Sequence, residues 1–119
     1  MDKRELLNRT KAFALRVVRA VQALPRDAVA GVLGRQLLRA ATSVGANYRA
    51  ACRAKSSADF VHKLKIVEEE CDESLYWMEL LVESGAIRTN RLKALMQEAD
   101  ELIAIFVAAL KTTRSLRAA

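Results

Sequence analysis

The chain has 119 residues, one proline, four glycines and 5% aromatic residues, with 52% of its residues hydrophobic and a net charge of +6. That length supports one domain burying roughly two thirds of its unfolded surface, with no need of disulfide or metal. A composition rich in Ala, Leu, Arg, Glu and Val argues against a sandwich or barrel and for an all-helical protein.

Apolar residues at three- and four-residue spacing mark four amphipathic segments. The first, over residues 3–24, runs Leu6, Thr10, Phe13, Val17, Val21, Leu24. It stops at Pro25, whose ring is barred from a helix interior but suits the first turn of the next helix. The second is therefore placed over 26–55, on Leu33, Leu37, Ala40, Val44, Asn47 and Ala51. Ser56 and Asp59 are spaced to cap a third helix over 58–84. Its stripe of Phe60, Leu64, Val67, Cys71, Ser74, Met78 and Leu81 keeps a heptad rhythm up to Gly85, a C-terminal stop. The fourth, over 90–114 with Thr89 or Asn90 as its cap, carries Leu92, Met96, Ala99, Ile103, Phe106 and Leu110. Short connections make neighbours antiparallel, so an up-down-up-down four-helix bundle is expected, one all-α domain over 1–119. In that arrangement Cys52 and Cys71 fall roughly 15 Å apart, beyond the ~7 Å a disulfide tolerates, and both are expected to be reduced.

The longest uninterrupted apolar run, residues 102–110, is about half of a membrane span. The opening MDKRELLNRT lacks the apolar stretch of a signal peptide, so a cytoplasmic location with no membrane partner is expected. Charge is segregated: residues 28–58 hold five Lys or Arg and no acid, whereas 67–87 hold seven Asp or Glu and no base. On a helical wheel Arg35, Arg39, Arg49 and Arg53 line the back of the second helix, with Thr42 and Ala46 between them. Such a row suits a phosphate backbone, because each guanidinium donates two hydrogen bonds to one phosphate. It equally suits a solvated face, or pairing with Glu69, Glu73 or Glu83 of a neighbouring subunit. Ala41, Gly45 and Cys52 form a slim flank for close approach of another helix, while Asn47 faces the core as a buried hydrogen-bonding residue that fixes register.

On the third helix Tyr76 and Leu80 fall opposite the core stripe and Trp77 to one side, the composition of a subunit interface. Leu15 and Ile105 are likewise turned outward. The acidic run VEEECDE, residues 67–73, lacks the Glu-x-x-His pairs of di-metal bundles, and the single histidine, His62, reads as a surface residue. No glycine-rich phosphate loop, Cys–His couple or carboxylate pair in a loop-built cleft is present. Neither an enzyme nor a metal or cofactor is expected.

Several stretches carry a family resemblance: LP at 24–25, QLLRAATSVGAN at 36–47, ADF at 58–60, EEECDESL at 68–75 and GAI at 85–87. Through them the chain resembles the bacterial four-helix proteins encoded in intervening sequences of 23S ribosomal RNA genes. That resemblance implies a protomer assembling into a homopentameric ring, often basic and without enzymatic activity. A related branch resembles accessory proteins of diversity-generating retroelements, which implies a reverse transcriptase and nucleic acid as partners. One departure stands out: Ala50-Ala51 replaces the Glu-Gly that commonly follows the asparagine, and a longer second helix is expected from it.

Overall fold

The computed structural model describes residues 1–118. Four helices make up nearly all of them: α1 (Lys3–Gln22), α2 (Ala28–Ala51), α3 (Ser57–Glu83) and α4 (Thr89–Ala118). They form a rod of 51 × 21 × 19 Å in which α1 packs on α2, α2 on α3 and α3 on α4, the α1–α4 seam being the sparsest. Short connections make successive helices antiparallel, and three contacts tie them together. Arg39 of α2 pairs with Glu73 of α3, the Cys71 thiol of α3 donates to the Ala99 carbonyl of α4 at 3.5 Å, and Arg9 of α1 donates to Glu98 of α4 at 2.7 Å.

Each of the first three helices begins where a side chain supplies an acceptor for a free backbone amide. Asp2 accepts from the Glu5 N–H at 2.8 Å, Asp27 from the Ala30 N–H at 2.9 Å, and Ser56 from the Asp59 N–H at 3.1 Å. Asp27 therefore starts α2 at Ala28, and Pro25 lies in the connection rather than in a first turn beginning at 26. At its other end α2 stops at Ala51, short of 55. The Asp59 carboxylate reaches back to the Lys55 N–H at 3.1 Å, which holds the chain in a turn there. Thr89 and Asn90 are the first two helical residues of α4 rather than its cap, and this helix runs on to Ala118. The α3 terminus behaves as expected. Gly85 takes φ +81°, with its N–H on the Val82 carbonyl at 3.0 Å and the Ala86 N–H on the Leu81 carbonyl at 3.1 Å. This is the paired closure that a left-handed residue permits after a helix.

The core is a set of alternating four- and three-residue steps, as in other bundles of this crossing geometry. In α3 it follows Leu64, Val67, Cys71, Ser74, Met78 and Leu81. In α2 it follows Ala30, Gly34, Leu37, Ala41, Val44, Tyr48 and Ala51, with Ala40 fully buried as expected, and Tyr48 occupies the position expected of Asn47, its ring 5.8 Å from that of Phe106. Asn47 is only part-buried, and its amide donates to the Ser43 carbonyl of its own helix at 2.8 Å. A bond within one helix cannot fix register between two. In α4 Leu95 and Leu102 join the buried set, leaving Met96 and Ile103 at the margin. Leu15 is exposed as expected, whereas Ile105 is partly buried against the core where α4 faces α1.

The buried hydroxyls are satisfied locally: Thr10 donates to the Leu6 carbonyl and Ser74 to the Glu70 carbonyl, each at 2.8 Å. Cys52 and Cys71 are both free, and burial pushes the Cys71 thiol up to about 12. Among the described residues no helix is long and apolar enough to cross a membrane.

Candidate functional site

The four arginines singled out on the second helix are all exposed. They are not equivalent. Arg39 reaches across to α3, where its guanidinium contacts Glu70 at 3.4 Å and pairs with Glu73. Glu73 also accepts from the Trp77 indole N–H at 3.1 Å. Arg39 is thus drawn to the acidic helix of its own chain. Arg35, Arg49 and Arg53 form no ion pair among the described residues.

Distance along the helix separates these three further. Arg35 lies fourteen residues before Arg49, about 21 Å at helical rise, and borders a different recess, beside Arg26 and Asp27. Arg49 instead lines a groove of about 490 Å³ between α1 and α2, together with Arg4, Asn8 and Lys11 from α1. No acid lines this groove. Its floor is made of small residues, Ala14, Thr42, Gly45 and Ala46. They let two basic walls stand either side of open space. Arg4 and Lys11 are seven residues apart, so both project from the same side of α1, about 10 Å apart along its axis. Arg53, expected on the same helical row, instead lies past the end of α2, in a turn closed by its N–H on the Ala50 carbonyl at 3.0 Å, and it does not line the groove.

Gly45 sits over Thr10, and a methyl group built on it would meet the Thr10 backbone at 3.5 Å, ordinary contact. The slimness matters for larger side chains, which would fill the groove; an alanine is accommodated. The tighter spot is Gly34, where a methyl would meet Leu24 at 2.8 Å.

Arg4 and Lys11 belong to α1, so the basic face of α2 taken alone does not include them. A signal existed, because their seven-residue spacing places them on one face. Pairing that face with Arg49 requires knowing that residue 10 of α1 lies against residue 45 of α2.

A second surface lies on the α2–α3 face. With Arg39 opposite Glu73, seven residues back along α2 is Val32 and seven forward along α3 is Leu80. Val29, Val32 and Tyr76 are each more than half exposed, and Trp77 and Leu80 are partly buried beside them. The Tyr76 and Trp77 rings meet edge-on with centroids 5.2 Å apart. The Arg39–Glu73 register sets this aromatic pair at the same end of the α2–α3 face as two exposed valines.

The family model for the 23S rRNA-intervening sequence protein matches residues 2–108. Among solved structures, a protein of unknown function from the S23 ribosomal protein family of Bacteroides thetaiotaomicron is similar to this chain at 30% identity and a TM-score of 0.82. The match covers 89% of this chain and 98% of that one. Comparison with curated proteins finds no match.

Proposed function

This chain belongs to the 23S rRNA-intervening sequence protein family, and from that premise we propose that it is a non-enzymatic accessory protein that binds the phosphate backbone of RNA or DNA. The observation that carries this reading is the α1–α2 groove, with Arg4, Lys11 and Arg49 on its walls and no acid in its lining. Phosphates are the anions that such a track suits, because successive guanidinium and ammonium groups each take one backbone charge and release its counterions. We also propose self-assembly, in a ring of five as the family resemblance implies, through the surface of Val29, Val32, Tyr76, Trp77 and Leu80. Val29, Val32 and Tyr76 are about half exposed, and exposed apolar side chains of this kind are what a subunit interface covers.

The alternative reading makes the protein a scaffold whose basic and acidic helix faces serve subunit assembly alone. The pairing of Arg39 with Glu70 and Glu73 inside one chain weighs against it at that position, since this arginine and Glu73 already meet within the protomer, whereas Arg35, Arg49 and Arg53 form no such pair among the described residues. Titrating RNA and duplex DNA with the protein across a salt series separates the two. Nucleic-acid binding through the groove gives an affinity that falls linearly on a log–log plot against salt; no binding at low salt leaves the scaffold.

A further inference from the structure

Folding converts the segregation of charge along the chain into a gradient along the rod. The contacts of Thr10 with Gly45, Arg39 with Glu70, and Cys71 with Ala99 set the registers between neighbouring helices. They gather residues 1–11, 44–66 and 104–118 at one end, the end that holds the α2–α3 turn. These segments contain twelve Lys or Arg against three acids, Asp2, Glu5 and Asp59; the rest of the chain contains eight against eleven. Only Arg9, Lys63 and Lys65 of those twelve form ion pairs among the described residues. Two helix N-termini and two C-termini meet at this end, so the helix dipoles largely cancel and the field comes from the side chains.

Four parts of the chain share the end face. A recess of about 520 Å³ there is lined by Lys3 from α1, Lys55 and Ser56 from the α2–α3 turn, Ser57 from α3 and Thr113 from α4. Beyond it α4 carries Lys111, Arg114 and Arg117, all exposed. Glu68 holds the Lys65 ammonium above its usual range, while the nearby positive charge of Arg114 works against it. The aromatic rings at this end, Tyr48, Phe60 and Phe106, are packed against the core or within it, which leaves no stacking platform for bases.

We propose that this whole basic end, and not the α2 row alone, is the docking surface for nucleic acid: the backbone runs from the α1–α2 groove across the end of the rod onto α4. The proposal rests on the nucleic-acid reading above and adds to it the footprint and a recognition mode through phosphates, indifferent to base sequence. An anionic membrane is the less suited partner, since among the described residues the end exposes only Met1, Val107 and Leu116 as large hydrophobics, little apolar surface to insert.

The test compares two variants with the same change in charge at opposite ends of α4. One is Lys111→Gln/Arg114→Gln/Arg117→Gln; the other is Arg88→Gln/Arg91→Gln/Lys93→Gln, and all six residues are exposed. A Lys3→Gln/Lys55→Gln variant reaches the same end face from other elements. Each is titrated against mixed-sequence duplex DNA and RNA, with helicity and Tm measured alongside, and against vesicles containing phosphatidylserine. The expected result is a loss of about tenfold or more in affinity and a shallower salt slope for the 111/114/117 variant. A smaller loss is expected for Lys3/Lys55, with the 88/91/93 variant within about twofold of the parent. Equal losses at both ends would mean that net charge alone is sensed, and no loss at 111/114/117 would confine binding to the groove. Either outcome overturns the footprint while leaving nucleic-acid binding in place. Binding to vesicles but not to nucleic acid would overturn both.

Discussion

Gly85 shows how one residue closes an element for a reason visible in its backbone. Its φ of +81° lies in the left-handed region, yet a methyl group added there would meet nothing within 4 Å. The cost of Gly85→Ala is therefore purely conformational, about 1–2 kcal/mol, and Gly85→Asn should cost less because asparagine tolerates that region. Chemical denaturation of the two variants checks the order. The same reasoning applied to Gly45, in regular helix with room for a methyl, gives Gly45→Ala as neutral to stabilising by up to about 1 kcal/mol. On α2 the sequence pattern is least informative. Alanine and glycine give little hydrophobic contrast, so the α2 stripe rests on few large residues, with Asn47 expected to complete it. The larger apolar ring of Tyr48 went inward, beside Phe106, and Asn47 turned to its own backbone.

Among the elements, α3 was legible almost to the residue, since its stripe is made of large side chains and both ends carry capping residues, Ser56 and Gly85. The ends of α2 were not. Pro25 was a weaker determinant of the start than Asp27, which has an amide to cap, and the end depends on the Asp59 carboxylate reaching back to Lys55 from the next helix. What holds α1 in place was equally hidden, because it joins residues 89 apart in sequence. On the sparse α1–α4 seam Arg9 donates to Glu98 through two nitrogens, each at 2.7 Å, and to Glu101 at 2.8 Å. The Glu98 side chain is only 15% exposed, that of Glu101 53%. Arg9→Met strands the more buried carboxylate and is expected to cost about 1–3 kcal/mol, whereas Glu101→Gln costs under about 1 kcal/mol. Thermal unfolding followed by circular dichroism distinguishes them, and equal effects would assign the seam's strength to packing alone.

At the scale of the molecule, the two surfaces lie toward opposite ends of the rod. Val29, Val32, Tyr76, Trp77 and Leu80 sit where α2 begins and α3 ends, while the basic groove opens toward the α2–α3 turn. Assembly and nucleic-acid binding are then separable: Tyr76→Glu/Leu80→Glu should lower the mass measured by light scattering to that of smaller species. The same variant should retain the binding of a single protomer. The loss of multivalency alone would weaken apparent affinity for long nucleic acid more than for short. The arginine row was legible as a row, but its division into Arg39, held by α3, and Arg49, facing α1, depends on contacts between helices that no single-helix wheel contains.

The most direct test is an anisotropy titration of labelled RNA with the parent protein, with Arg4→Gln/Lys11→Gln/Arg49→Gln, and with Arg39→Gln, at matched low salt. The expected result is binding by the parent, a loss of about tenfold or more for the groove variant, and a change within about twofold for Arg39→Gln, whose charge is already met by Glu70 and Glu73. No binding by the parent, or a groove variant indistinguishable from it, would contradict a phosphate-binding groove between α1 and α2.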